Sequence, residues 1–386
     1  MRGLTRREFV VWLSLGSAGL LVAGCGSAAS PQPTGVPVAA ATTAPAAVAR
    51  QTNPQGDWDA LVAAATQEGK VVVETPVGEG YRQGVEVFAN TFPGIQAEHQ
   101  PFPDSATFIP RLDQERKAGI FTFDVTASTP IPTLQSIKPA GDLDPLRPLL
   151  MLPEVLDDKA WFGGFESRWA DSTQSHVFRH LLNVTRSLFI NTDLIGEEEI
   201  KTLDDLLDPR WKGKIVTSDV TQGYIYSPFT MIREQKGEDW IKRFFIDQEP
   251  QMIRDRRQAV ETLVRGGAPI GFGLHPLVMK DFKSQGLANN IKNPEVPGTV
   301  YSGGDIVAVF NRAPHPNAAK LFINWLLSKD GQIAWSSKNV INSARTDVPV
   351  VDPDTAPGKT VYDDPTQEKW LPNVAATQEY LKKLVS

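Results

Sequence analysis

The sequence predicts an α/β protein built as two doubly wound lobes, each a mainly parallel sheet wrapped by helices. Three observations predict it. Strand-length apolar runs alternate with helix-length segments over residues 70–127, and the alternation returns over residues 187–327. About 330 residues follow an apolar leader and a charge-poor stretch, enough for two lobes each with its own core. Thirty prolines and thirty glycines suit many short turns, and there is no internal repeat.

In the first half, Trp58 to Glu68 reads as a helix with Asp57 as a candidate cap and Gly69 as its stop. Lys70 to Thr75 reads as a strand whose three central valines suit burial on both faces. A glycine-rich loop, Gly78 to Arg82, leads to a helix over Gln83–Thr91 that ends at Phe92-Pro93-Gly94. Ile95–Gln100 is the next strand, Ala106–Ala118 a helix with a charged face, and Phe123–Ala127 a third strand.

In the second half, Ser187–Asn191 and Ile215–Thr217 read as strands, with a short helix over Thr202–Leu207 between them. Ser227-Pro228 reads as a helix opening, with serine at the cap and proline at the first helical position. Asp239–Phe245 is helical. Asp255 with Gln258 forms a capping box for a helix that stops at Gly266-Gly267. Ile270–Gly273 is a strand, Val300–Val309 a strand interrupted by Gly303-Gly304, and Asn317–Leu327 a helix with one apolar face.

The N-terminus reads as a targeting segment. Arg2, Arg6 and Arg7 precede an apolar run from Phe9 to Ala23, shorter than the ~20 residues of a membrane span. Thr5 to Val10 resembles the twin-arginine export signal, with Val10 where leucine is commoner. Leu21-Val22-Ala23-Gly24-Cys25 resembles a bacterial lipobox. Cys25 is the single cysteine of the chain, so no disulfide partner exists and lipidation of its thiol is the expected purpose. Residues 26–55, rich in Ala, Thr and Pro, read as a tether holding a folded body off a membrane. The expected partition is 1–24 signal, 25–55 tether, 56–178 plus 305–328 first lobe, and 179–304 plus 329–386 second lobe.

Without residues 1–24 the chain keeps 36 basic and 44 acidic residues, a net charge of −8. That argues against nucleic acid, which favours a basic face. A local cluster can still attract an anionic small ligand.

In doubly wound sheets, ligands sit beyond the carboxyl ends of the strands. That rule selects Tyr81 and Arg82 after the first strand, and Ser128 and Thr129 after the third. In the second lobe it selects Tyr224, Tyr226 and Ser227 after Ile215–Thr217, and His275 after Phe272. Tyr224 and Tyr226, in Gln-Gly-Tyr-Ile-Tyr-Ser-Pro-Phe, are two of only six tyrosines. Their flat faces and hydroxyl tips suit a cleft wall beside a helix start that receives anions. Arg254, ahead of the Asp255 cap, and Arg345, in a polar loop, are the candidate guanidiniums for an anion. The alternative for such charges is a solvated surface.

These stretches, in this order, resemble the extracytoplasmic substrate-binding proteins of bacterial ABC importers. The branch is the one that includes ferric-iron, polyamine, thiamine and phosphonate binders. The resemblance is carried by residues 71–95 with Phe92-Pro93-Gly94-Ile95, by Glu115 to Gly119 leading to Phe123-Asp124-Val125, and by Asn191-Thr192-Asp193-Leu194. Asp208 to Ile215, Ala313 to Lys320 and Ser343 to Val348 complete it. It implies type II architecture, two lobes joined by crossover strands and closing on a small ligand. It also implies permease and ATPase partners, an extracytoplasmic, lipid-anchored monomer, and no cofactor.

Ferric iron is the alternative ligand. The ferric-binding relatives carry two adjacent tyrosines after the strand that here reads Ile270 to Gly273, where this chain has Leu274-His275. The expected pair is missing, and metal sites tolerate little change of ligand type. An enzyme is disfavoured. The chain has no Gly-x-Ser-x-Gly and no His-Glu-x-x-His, and His176 and His180 at i, i+4 lack a nearby acid in sequence.

Overall fold

A computed structural model describes residues 54–221, 225–358 and 362–386. The signal, Cys25, most of the tether and Tyr224 lie outside the described residues.

The first half runs α1 (Pro54–Glu68), β1 (Lys70–Pro76), α2 (Glu79–Thr91), β2 (Gln96–Phe102), α3 (Ser105–Lys117) and β3 (Val125–Ser128). The short α4 (Pro130–Pro132), β4 (Leu143–Asp144), α5 (Pro153–Leu156) and β5 (Phe178–Arg179) follow. The chain then passes through β6 (Asn183–Arg186) into β7 (Leu188–Asn191), β8 (Ile215–Ser218), α6 (Tyr226–Lys236), α7 (Glu238–Lys242), β9 (Gln251–Ile253) and α8 (Arg256–Val264). After β10 (Ile270–Phe272), α9 (Pro276–Ser284) and β11 (Ile291–Lys292), it returns through β12 (Val300–Gly303). It enters β13 (Ile306–Phe310), α10 (Pro316–Leu327) and α11 (Lys329–Asn339), and ends in α12 (Leu371–Val385).

Two sheets result, ordered β2-β1-β3-β13-β4 (with β5 also on β13) and β11-β7-β10-β8-β9. In each, consecutive strand–helix units give parallel neighbours. β1 pairs parallel with β2 and β3, and β8 pairs parallel with β10 and β9. The valines of β1 explain its central place. Val71 and Val73 enter a core with Phe88, Phe322 and Trp325, whereas Val72 enters the opposite core with Phe108, Phe123 and Phe310. In the second sheet Phe229, Phe244 and Phe272 pack as an aromatic group, and Trp240 stacks on Phe244 at 5.4 Å.

A third, two-stranded sheet pairs β6 antiparallel with β12. This ribbon links the large sheets. The sequence pattern did not distinguish β6, but the expected interruption at Gly303-Gly304 falls where β12 ends and before β13 begins. The break is physical. Gly304 has φ 149°, and a Cβ there would lie 2.2 Å from the Leu181 carbonyl, so only glycine lets the ribbon meet the first sheet.

Two expectations are corrected. The segment 78–82 is not a loop. α2 starts at Glu79, because Arg82 reaches back to Glu79 and forward to Glu86 along one face of the first turns. Residues 329–386 do not all belong with the second sheet. Trp335 of α11 and Ala344 lie in the first sheet's core, and a Cβ on Gly84 of α2 would meet the Trp335 ring at 2.6 Å. α12 starts with Leu371 in a core of the first sheet and joins the second sheet's core through Leu381, with Val374 and Tyr380 packed against it.

Candidate ligand cleft

The ribbon fixes where a ligand would sit. β12 delivers the chain to the start of β13, where Ile306 lies opposite Ser128, the last residue of β3. β6 delivers it to the start of β7, where Leu188 lies opposite Phe272, the last residue of β10. The ribbon therefore joins the two sheets at the carboxyl ends of their parallel strands, the ends that carry ligands in such folds.

The helices that start at those ends fall into two kinds. α3 follows the edge strand β2 and is capped by Asp104, which accepts from Thr107 N at 2.8 Å. α8 follows the edge strand β9 and is capped by Asp255, which accepts from Gln258 N at 2.8 Å, as its sequence predicts. After the central strands β1, β3, β8 and β10 come α2, α4, α6 and α9, and none has a side-chain cap. The first-turn N–H groups of α2, α6 and α9, where prolines such as Pro276 have none, are left to other acceptors, whereas the Pro-Ile-Pro turn of α4 carries few donors.

Beside these helix starts the first lobe holds buried acids. Tyr81 donates to Asp305 Oδ2 at 2.6 Å, and Asp305 also accepts backbone N–H groups of His180 and Leu181 through its carbonyl. Burial pushes Asp305 up to about 6, opposed by the Tyr81 bond and by Arg179. Burial and then Asp305 push the Tyr81 phenol above its usual range. Glu74 of β1 accepts from Thr126 Oγ1 at 2.6 Å. Burial raises it to about 7 against that bond, with a smaller push from Asp305. Glu74 lines a pocket of about 110 Å³ with Phe102, Phe108, Ser128 and Thr129.

The expected site residues separate. Ser128 and Thr129 stand at the end of β3, Tyr81 stands in the first turn of α2, and His275 stands at the start of α9 in the second lobe. His275 is half-buried, and burial lowers its pKa. Arg254 is exposed, close enough for its charge to help lower Asp219 at the end of β8.

The others take structural roles. Arg82 is exposed and donates to Glu79 at 2.9 Å through Nε. Tyr226 is not a cleft wall. It is buried in the second core, and its hydroxyl donates to the Val220 carbonyl at 2.6 Å. Ser227 is not a cap, because α6 begins one residue earlier, at Tyr226. Arg345 is buried within the first lobe. It makes two bonds to Asp347 at 2.9 and 3.0 Å, donates to the carbonyls of Leu327 and Glu154, and lies over the Trp161 ring. These bonds commit four of the guanidinium's five N–H donors to the first lobe's own chain.

Glu74 and Asp305 were not singled out from the sequence. Their signals were an acid ending a triple-valine strand and an acid between Gly-Gly and an apolar strand. Among the described residues, no group of three or more His, Cys, Asp or Glu is placed to hold a metal ion. No helix among them is long and apolar enough to cross a membrane.

Two α/β lobes joined by an antiparallel ribbon, with helix starts gathered at the junction, define a solute-binding protein of the type II architecture. The chain belongs to the family described as bacterial extracellular solute-binding protein, whose pattern matches residues 72–333. It is 30% identical over 173 residues to an uncharacterized protein of Haemophilus influenzae, covering 42% of this chain and 49% of that protein. It is 27% identical over 169 residues to iron uptake protein A1 of Synechocystis, covering 40% of this chain and 46% of that one. The chain thus spans about half the length of the curated relatives it matches. In fold it resembles a Trichodesmium protein (IdiA, FutA) solved with iron and citrate, at TM-score 0.65 and 17% identity. That likeness covers 82% of this chain and 99% of the other. It also resembles a Bordetella ferric binding protein, at TM-score 0.63, 17% identity and the same coverages.

Proposed function

We propose that this chain is the lipid-anchored capture component of an ABC importer. It closes its two lobes on a small solute bearing oxyanion groups and hands it to a permease driven by an ATPase. The export signal, the thiol of Cys25 and the tether of residues 26–55 supply the anchor, and the family supplies the role. One observation carries the ligand class: the central helix starts at both sheets' carboxyl ends lack side-chain caps, while the edge helices have them. Free N–H groups on both sides of a closing cleft suit a carboxylate, phosphate or phosphonate.

The second reading is ferric iron, favoured by the names of the relatives and by the phenol–carboxylate pair Tyr81–Asp305. A ferric carboxylate chelate would meet both readings, its organic oxygens on the helix starts and its metal near Tyr81.

A thermal-shift screen separates these readings. Citrate, other small carboxylates and phosphonates alone raising the melting temperature would support the oxyanion solute. A rise confined to iron, with a visible charge-transfer band lost in Tyr81→Phe, would replace it with iron. Recovery of the ligand chemically changed would overturn a binding role altogether. A chain that stays with membranes in Cys25→Ala would remove the anchor.

A further inference from the structure

The pocket of Glu74 lies at the carboxyl ends of β1, β2 and β3, where Pro76, Phe102 and Ser128 end their strands and line it. Side chains alternate across a strand. Val71 and Val73 enter one core and Val72 the other, so Glu74 follows Val72 onto the face of Phe102 and Phe108. There it is a carboxyl only 3% exposed, at the end of an apolar core and lining the pocket.

The bonding of Glu74 is half complete. Oε2 accepts from Thr126 Oγ1 of β3, the residue opposite Glu74 in the sheet register. Oε1 has no hydrogen-bond partner among the described residues, yet it keeps accessible surface, unlike the sealed unpartnered atoms elsewhere in the chain. Oε1 is therefore the oxygen that Glu74 offers to the pocket. Burial raises this carboxyl to about 7, and no cation lies close enough to hold it down.

The rest of the lining decides what Oε1 would meet. The walls are apolar, with Phe102, Phe108 and Ile137, and the second charge is Asp104. Among the described residues, no lysine, arginine or histidine lines the pocket. Arg111 lies over the Phe102 ring, but it is not in the lining and pairs with Glu115 at 2.8 Å. A buried carboxylate without a counter-charge is costly, and an ammonium would supply that charge between two aromatic rings. Pockets for whole ligands run to ~300 Å³ and more, so about 110 Å³ admits one end of a solute.

We infer that this pocket is the cleft's subsite for a primary ammonium group seated on Glu74 Oε1, so that the captured solute is a zwitterion with its oxyanion on the helix starts. This rests on the oxyanion reading of the cleft and narrows it. One short solute can reach both places in the first lobe. Gly78, at the start of α2, follows Glu74 by four residues, so their Cα atoms are at most about 14 Å apart. A solute without an amine would leave Oε1 unmet.

The test uses the purified full chain in detergent and calorimetry with two matched series. One is glycine, β-alanine, 4-aminobutyrate and 5-aminovalerate; the other is acetate, propionate, butyrate and valerate, with n-butylamine as the amine-only probe. At least one amino acid is expected to bind the wild type about tenfold or more tightly than its amine-free partner. Glu74→Gln keeps an acceptor for Thr126 and removes the charge, and is expected to abolish that preference. Ser105→Phe, at an exposed residue of the lining, narrows the pocket and is expected to reduce it. Equal affinity for the partners in the wild type, or a preference kept in Glu74→Gln, overturns the ammonium subsite and leaves the oxyanion cleft standing. If Glu74→Gln does not fold, a preference kept in Ser105→Phe does the same. No binding in either series also overturns the subsite. n-Butylamine bound as tightly as the amino acid, and lost in Glu74→Gln, keeps the subsite and overturns the oxyanion reading.

Discussion

The helices at the edges of the two sheets and those at their centres differ in one respect that matters. Edge helices α3 and α8 carry aspartate caps, Asp104 and Asp255, at their first turns. Central helices α2 and α9 begin at Gly78 and His275, neither of which caps with its side chain. A cap contributes about 1 kcal/mol. Leaving it out at the strand ends beside the hinge ribbon, in both lobes, keeps backbone donors available where a solute would bridge the lobes.

The largest expected effect tests whether the centre is uniformly receptive to anions. Glu74 lies beneath it with a folded pKa near 7, above its unfolded value. Between about 4.5 and 7 the folded state holds the extra proton, so this residue's contribution falls as pH rises through that window. Glu74→Gln keeps an acceptor for Thr126. It is expected to match wild type at pH 4 and to be more stable by about 1–3 kcal/mol at pH 8. Denaturant midpoints at the two pH values check this. A constant difference would mean that Glu74 does not titrate in the window.

A smaller effect converts a central helix into an edge-like one. Gly78 is extended at φ 171°, so it accepts a side chain without backbone strain, though the Tyr81 ring 2.9 Å from the new Cβ must shift. Gly78→Asp places an acceptor at the start of α2. It is expected to weaken an oxyanion solute about tenfold, roughly 1.4 kcal/mol, by occupying the N–H groups and repelling charge. Calorimetry with a ligand from the screen measures it, and unchanged affinity would remove α2 from the site.

How much of this was legible follows the same physics. The α/β alternation, the Asp255 cap and the break at Gly303-Gly304 are local features, so they show in the sequence. β6 does not, because a four-residue strand in a two-stranded ribbon carries little periodicity. Tyr226 and Arg345 were misplaced for another reason. Phenols and guanidiniums serve a cleft or a core equally well, and only long-range partners decide. Arg345 finds the Leu327 carbonyl and the Trp161 ring, and Tyr226 finds Val220 and the second core. Asp305 became visible only when the fold carried Tyr81 to it across 224 residues of sequence.

The smallest effect belongs to the edges and closes the comparison from the other side. Asp104→Ala and Asp255→Ala each remove a cap and should cost about 1 kcal/mol of stability. The α8 change frees N–H groups close to Arg254 and Asp219, and the α3 change frees them beside the pocket of Glu74, whose lining includes Asp104. If caps are withheld at the centre because a ligand needs the donors there, uncapping an edge should lower stability without strengthening solute binding. Melting temperature and ligand affinity, measured on the same two variants, separate the cases. A tighter solute in either variant would show that edge starts also reach the cleft, and the distinction between centre and edge would fail.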